Sequence, residues 1–176
     1  MGVPQSVTTA ELRAASAAAG NRPAVDIFLS QPQKRCWEPM LVWSASQFLE
    51  ENTLFMLAVA KYKLAPTQQK MDYIYKRFVG HGTQRPEREI NIPSEARETI
   101  FEIVTGARTR SGPGGCRADA FDAGVQGLRG QVASDINGRF GGALRKDPGS
   151  KFTISAAQKS VIDRELADFS RLGISL

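Results

Sequence analysis

The chain has one histidine, His81, set between Gly80 and Gly82 in a polar stretch. A Ser-His-Asp or Cys-His relay would have to run through it, and nothing beside it suggests a carboxylate to orient the ring. It reads as an exposed loop histidine. Cys36 and Cys116 lie too far apart for metal-ligand spacing and read as reduced thiols. Gly112, Gly114 and Gly115 surround Pro113 and could cradle an anion. No strand pattern precedes them and no helix N-terminus is aimed there, so a flexible loop is the better reading. Neither a GxxxxGK[ST] nor a GxGxxG run opens a helix. Glu50 and Glu51 are adjacent, which on a helix turns them about 100° apart and poorly placed to share a proton. In a first helical turn both are favoured by the positive end of the dipole. These residues predict no catalytic centre, metal or cofactor.

The elements that would carry them are helical. Met71, Ile74, Tyr75 and Phe78 recur at helical spacing after Pro66-Thr67 and stop at Gly80. Ala96, Ile100, Ile103 and Val104 do the same between Pro93-Ser94 and Gly106. Phe121, Val125, Leu128, Val132, Ile136 and Phe140 step along one face. Ile162, Leu166 and Phe169 follow Ser155-x-x-Gln158, a capping box. From Phe48 to Leu64 apolar residues cover more than one face, as in the buried centre of a bundle. Thr8-x-x-Glu11 caps a run to Ala19, and a short helix is expected from Ala24 to Ser30 with Val25, Phe28 and Leu29. Residues 106–118 read as a Gly-rich loop and 141–153 as a linker. Strand signals are nearly absent.

Length allows one domain with tails, and 41% apolar residues suffice for one core. The net charge of +5 is dispersed, with no basic stripe of the kind nucleic-acid binders carry. No run approaches the about 18–20 apolar residues of a membrane span, and residues 1–20 lack a secretory pattern. A cytoplasmic monomer is expected. Met1-Gly2-x-x-x-Ser6 matches the N-myristoylation pattern, which would bring it to the inner face of the plasma membrane.

One stretch carries more than periodicity. Phe48-Leu49-Glu50-Glu51-Asn52-Thr53-Leu54-Phe55, followed by Tyr62-Lys63, resembles the signature of the regulators of G-protein signalling. The resemblance continues in order through Ile74-Tyr75-x-x-Phe78, Glu89-Ile90-Asn91-Ile92 with Arg97-Glu98, Phe121-Asp122-x-x-Val125 and Asp135-x-x-x-Arg139-Phe140. It covers residues 24–147, leaving 1–23 as an extension and 148–176 as linker and C-terminal helix.

The resemblance implies an all-α bundle of about eight to nine helices that docks on GTP-bound heterotrimeric Gα. It implies a GTPase-activating protein, not an enzyme in its own right. Three segments would grip the switch regions: Leu49, Glu50, Glu51 and Asn52; Glu89 and Asn91; and Gln131, Asp135, Ile136 and Arg139. By resemblance Asn91 reaches the Gα glutamine that orients water, Asn52 packs on switch residues, Asp135 accepts switch I N–H groups, and Arg139 braces that loop. Met56 stands where the family has tryptophan, Leu49 where it has serine, Gln131 where it has an apolar residue and Ile136 where it has a small polar one. Those departures leave open a second reading, a scaffold of the same fold that docks a partner without accelerating hydrolysis.

Overall fold

The computed structural model describes residues 4–20, 33–80, 86–106 and 117–172. The helix expected at 24–30, Gly2, His81, Cys116 and the glycines at 112, 114 and 115 lie outside them. The described chain is mostly helical: β1 (Gln5–Thr8), α1 (Thr9–Ala18), α2 (Lys34–Ser46), α3 (Glu50–Leu64), α4 (Gln68–Ile74) running into a π-helical turn (Tyr75–Val79), α5 (Ser94–Thr105), α6 (Arg117–Leu144), β2 (Lys151–Ile154) and α7 (Ala156–Arg171).

Local chemistry accounts for the ends of these helices. Thr8 and Glu11 close a reciprocal capping box on α1, and the two backbone and side-chain bonds to Thr8 lower the Glu11 carboxyl below its ordinary value. Ser155 and Gln158 close a second box on α7. The Thr67 hydroxyl accepts from the Lys70 N–H at 3.2 Å to start α4. Gly106 ends α5 in the left-handed region at φ 80°.

Helix α3 runs through the centre, buried on every side from Asn52 to Tyr62. Edge-to-face aromatic pairs tie the others to it and to each other: Tyr62 with Phe121 of α6 at 5.2 Å, Phe55 with Phe78 at 5.9 Å, Trp43 of α2 with Phe140 of α6 at 5.1 Å, and Tyr73 of α4 with Phe169 of α7 at 5.7 Å. Met56 fills its place in this core without difficulty, being unbranched and buried. Helix α5 crosses α6 at Gly124, where a Cβ would lie 2.8 Å from Ile100 Cδ1.

Two expectations need correction. Residues 141–153 are not a linker: α6 continues through Gly141 and Gly142 to Leu144, because Phe140 and Ala143 are still in the core. Arg13 of α1 donates to the Leu144 carbonyl at 2.7 Å and to that of Lys146 at 2.9 Å, supplying partners for the helix end. Strands are also present. β1 and β2 form an antiparallel ribbon pairing Gln5 with Ile154 and Val7 with Phe152. Four-residue strands are too short for a sustained alternation, yet Phe152 and Ile154 point into the core while Lys151 and Thr153 face out. Val7, Leu12, Phe152, Ile154, Ile162 and Phe169 therefore belong to the same apolar cluster as α2–α6.

Candidate functional site

The α2–α3 turn begins as an ordinary helix end. The Leu49 N–H bonds back to the Ser44 carbonyl at 2.8 Å and the Phe48 N–H to that of Ala45 at 3.1 Å, the paired bonds of a Schellman motif. The residue just past the cap in that motif must be left-handed and is usually glycine. Here it is Phe48, at φ 56° and 77% exposed. A left-handed non-glycine costs about 1–2 kcal/mol, and an exposed ring recovers little of that. In the sequence Phe48 is only the first letter of a motif; a phenylalanine gives no local sign of a left-handed backbone.

Glu50 and Glu51 occupy the first turn of α3, as expected. Burial raises the Glu51 carboxyl above its ordinary value and the Glu50 charge adds to this, while its own backbone N–H and the Arg88 guanidinium pull the other way. Asn52 is only 7% exposed. Among the described residues Glu50 Oε2, Asn52 Oδ1 and Thr53 Oγ1 are buried without a hydrogen-bond partner. Three orphaned oxygens in four residues of one helix start are unusual, and all three are enclosed within the fold rather than presented at its surface.

The second segment is held as an extended strip. The Arg88 N–H donates to the Arg77 carbonyl at 2.9 Å and the Ile90 N–H to that of Phe78 at 3.2 Å. Ile90 and Ile92 enter the core, so alternation turns Glu89 and Asn91 outward. Arg97 of α5 locks the strip, donating to the carbonyls of Val79 and, at 2.6 Å, Ile90, and pairing with Glu89 at 3.0 Å. The π-helical turn presents the Val79 carbonyl to it. Arg88 then joins the two segments: its guanidinium lies 3.9 Å from Glu50 Oε1.

On α6, Gln131, Asp135 and Arg139 are exposed at i, i+4 and i+8, one stripe of the helix. Ile136 is not part of it. It is fully buried beside Val132 and Phe140 on the core face and must be withdrawn from the contact set. Phe140 brings α6 against Trp43, one turn before the α2–α3 turn. Among the described residues, no hydrogen bond or ion pair joins Gln131, Asp135 or Arg139 to either turn.

Searches against family models, curated proteins and solved structures return no match to this chain. Its chemistry must therefore be read from the edge itself. Glu89 and Asn91 are exposed, Glu50 and Glu51 half-buried and Asn52 buried, so the edge offers carboxylates and one exposed amide, and none stands beside a base that would activate it. Among the described residues no group of three or more His, Cys, Asp or Glu side chains could hold a metal.

Behind it lies a cluster that sequence reasoning missed. Glu165 of α7, fully buried, accepts from Tyr73 Oη at 3.2 Å and Arg77 Nε at 3.1 Å, and Arg88 Nε reaches it at 3.4 Å. Arg77 also pairs with Glu87. Burial opposes the Arg77 charge, but the hydrogen bond and charge of Glu165 outweigh it and hold the guanidinium above its ordinary value. Burial, with the Glu165 charge next, pushes the Tyr73 phenol far up. The one available signal was Glu165 standing three residues beyond Ile162, on the apolar side of α7.

Proposed function

We propose that this chain docks on the GTP-bound α subunit of a heterotrimeric G protein and accelerates its GTP hydrolysis, as regulators of G-protein signalling do. The observation that carries this reading is the common edge formed by Glu50–Asn52 and Glu89–Asn91, bridged by Arg88. Two of the three segments named by the resemblance thus meet through one arginine, with Glu89 and Asn91 exposed and Glu50 and Glu51 half-buried. We read the exposed stripe of Gln131, Asp135 and Arg139 as the third. Phe48, strained and exposed at the same turn, adds an apolar anchor.

The physics suits an activator without a catalytic centre. GTP hydrolysis needs a positioned water and fixed charge stabilisers, and Gα carries its arginine in cis. A partner need only hold the switch loops in their transition-state arrangement, which lowers the barrier by differential binding. Asn91 is suited to the Gα glutamine because its amide donates and accepts at once. Its fixed strip, with Ile90 and Ile92 anchored in the core, limits the entropy lost on docking.

Single-turnover GTP hydrolysis by Gα subunits of each class, with and without this protein, tests the reading; no acceleration with any of them would sink it. Asn91→Ala should lose most of the stimulation, about 100-fold or more for one transition-state hydrogen-bond donor, while its melting temperature stays within about 2 °C of wild type because the side chain is exposed. A second reading, docking without acceleration, is favoured by the burial of Asn52 and Ile136, which leaves fewer groups facing a partner. It predicts capture of Gα bound to GDP and aluminium fluoride with an unchanged hydrolysis rate.

A further inference from the structure

Helix α7 lies outside the motifs that define the proposed docking edge, yet it touches both halves of that edge. Near its N-terminus, Gln158 Nε2 donates to the Ala45 carbonyl at 3.0 Å. That same oxygen accepts the Phe48 N–H that closes the α2–α3 turn. Two turns further along, the buried Glu165 holds Arg88 at 3.4 Å, and Arg88 reaches Glu50 at 3.9 Å. One helix therefore grips the turn carrying Phe48–Asn52 from one side and the strip carrying Glu89–Asn91 from the other. The grip is ionic at its buried end: Glu165 is fully enclosed and faces Tyr73, Arg77 and Arg88. An enclosed carboxylate must keep at least one cationic partner, and Arg77 and Arg88 both supply one, which holds the geometry around Glu165 in place.

From this geometry we propose that α7 is the positioning element of the docking edge, with Glu165 acting through Arg88 to set the spacing between the two turns. Arg88 suits the task because its guanidinium is forked and can engage two carboxylates at once, whereas an ammonium is a single point charge. Arg77 shares the carboxylate of Glu165 and pairs with Glu87, so loss of Arg88 leaves the buried charge partnered and the bundle intact. Neither Glu165 nor Arg88 need touch Gα for this role.

The proposal rests on the docking reading for its function but not for its structural test. Backbone and side-chain amide resonances of residues 48–52 and 89–91 are followed by NMR in the full chain for Arg88→Gln, Arg88→Lys, Glu165→Gln and Lys159→Ala. Lys159 pairs with Asp163 on the exposed side of α7 and serves as control. Arg88→Gln and Arg88→Lys should shift both sets of resonances together, with native dispersion elsewhere, and weaken capture of aluminium fluoride-bound Gα by about 3- to 30-fold. Glu165→Gln should shift the same resonances; if it fails to fold, the Arg88 variants decide alone. Lys159→Ala should shift neither set. Unchanged resonances at 48–52 in Arg88→Gln, or their full restoration by lysine, overturns the positioning role. If the resonances move as expected while the wild-type protein captures no Gα, the positioning role stands and the docking reading falls.

Discussion

Replacing Phe48 by glycine should make the protein more stable and a poorer binder. In the folded state Phe48 holds φ 56° at the position where a Schellman turn favours glycine. Relief of the left-handed conformation returns about 1–2 kcal/mol. Against this, glycine loses more backbone freedom on folding, about 0.5–1 kcal/mol. The ring is 77% exposed, so its removal forfeits little buried area. The net expectation is a gain of about 0.5–1 kcal/mol, which in a chain of this size raises the melting temperature by about 1–4 °C. Docking should move the other way. If a partner covers the ring, its burial contributes about 2 kcal/mol, so the glycine variant should bind aluminium fluoride-bound Gα about thirtyfold more weakly. Thermal unfolding followed by circular dichroism and a calorimetric titration measure the two effects on the same sample. A lower melting temperature would refute the backbone argument. Unchanged affinity would show that the exposed ring is not an anchor.

Two further substitutions separate packing from propensity and charge from burial. Gly127→Ala should raise stability by about 1 kcal/mol, the ordinary helix-propensity gain, since a Cβ there meets nothing within 4 Å. Gly124→Ala should be neutral or destabilising by up to about 2 kcal/mol, because its Cβ would crowd Ile100 and Ile103 at 2.8 and 3.1 Å; equal gains at both sites in chemical denaturation would refute the α5–α6 crossing. Glu51→Gln should raise the melting temperature at neutral pH by about 1–3 °C, an effect held below about 1 kcal/mol by solvent screening at a half-buried carboxylate. The folded-state value of Glu51 is raised, chiefly by burial. The folded protein therefore binds the proton more tightly, and ionisation costs stability as pH climbs from the ordinary carboxyl value of 4.5 through the raised folded value. The advantage of glutamine should shrink as pH falls below that window; a constant difference across pH would rule out ionisation as its cause.

Apart from the end of α6, the helices of the described residues and most of their ends were legible in the sequence because they depend on local chemistry. Thr8 with Glu11, Ser155 with Gln158, Thr67, Gly80 and Gly106 stop or start helices through bonds and backbone preferences spanning a few residues. The apolar face of α6 was equally plain, since helical period alone sets it. That period also resolves a conflict over Ile136: the motif resemblance set it outward beside Asp135, while spacing from Val132 and Phe140 set it inward, and the core took it. A buried isoleucine gains more from apolar contact than an exposed one, so the period prevailed.

Phe48, Arg88 and Glu165 were beyond the reach of local pattern. The strain at Phe48 appears only when α2 and α3 must meet at a fixed angle. The partners of Glu165 lie 77 to 92 positions away along the chain, and nothing near it in sequence names them. The pairing of β1 with β2 likewise joins segments far apart in the chain through strands too short to announce themselves. Local hydrogen bonds and periodicity thus determined which segments are helical and which faces are apolar. Only tertiary packing decided which charged groups meet, because buried charges take the partners that the fold brings within reach.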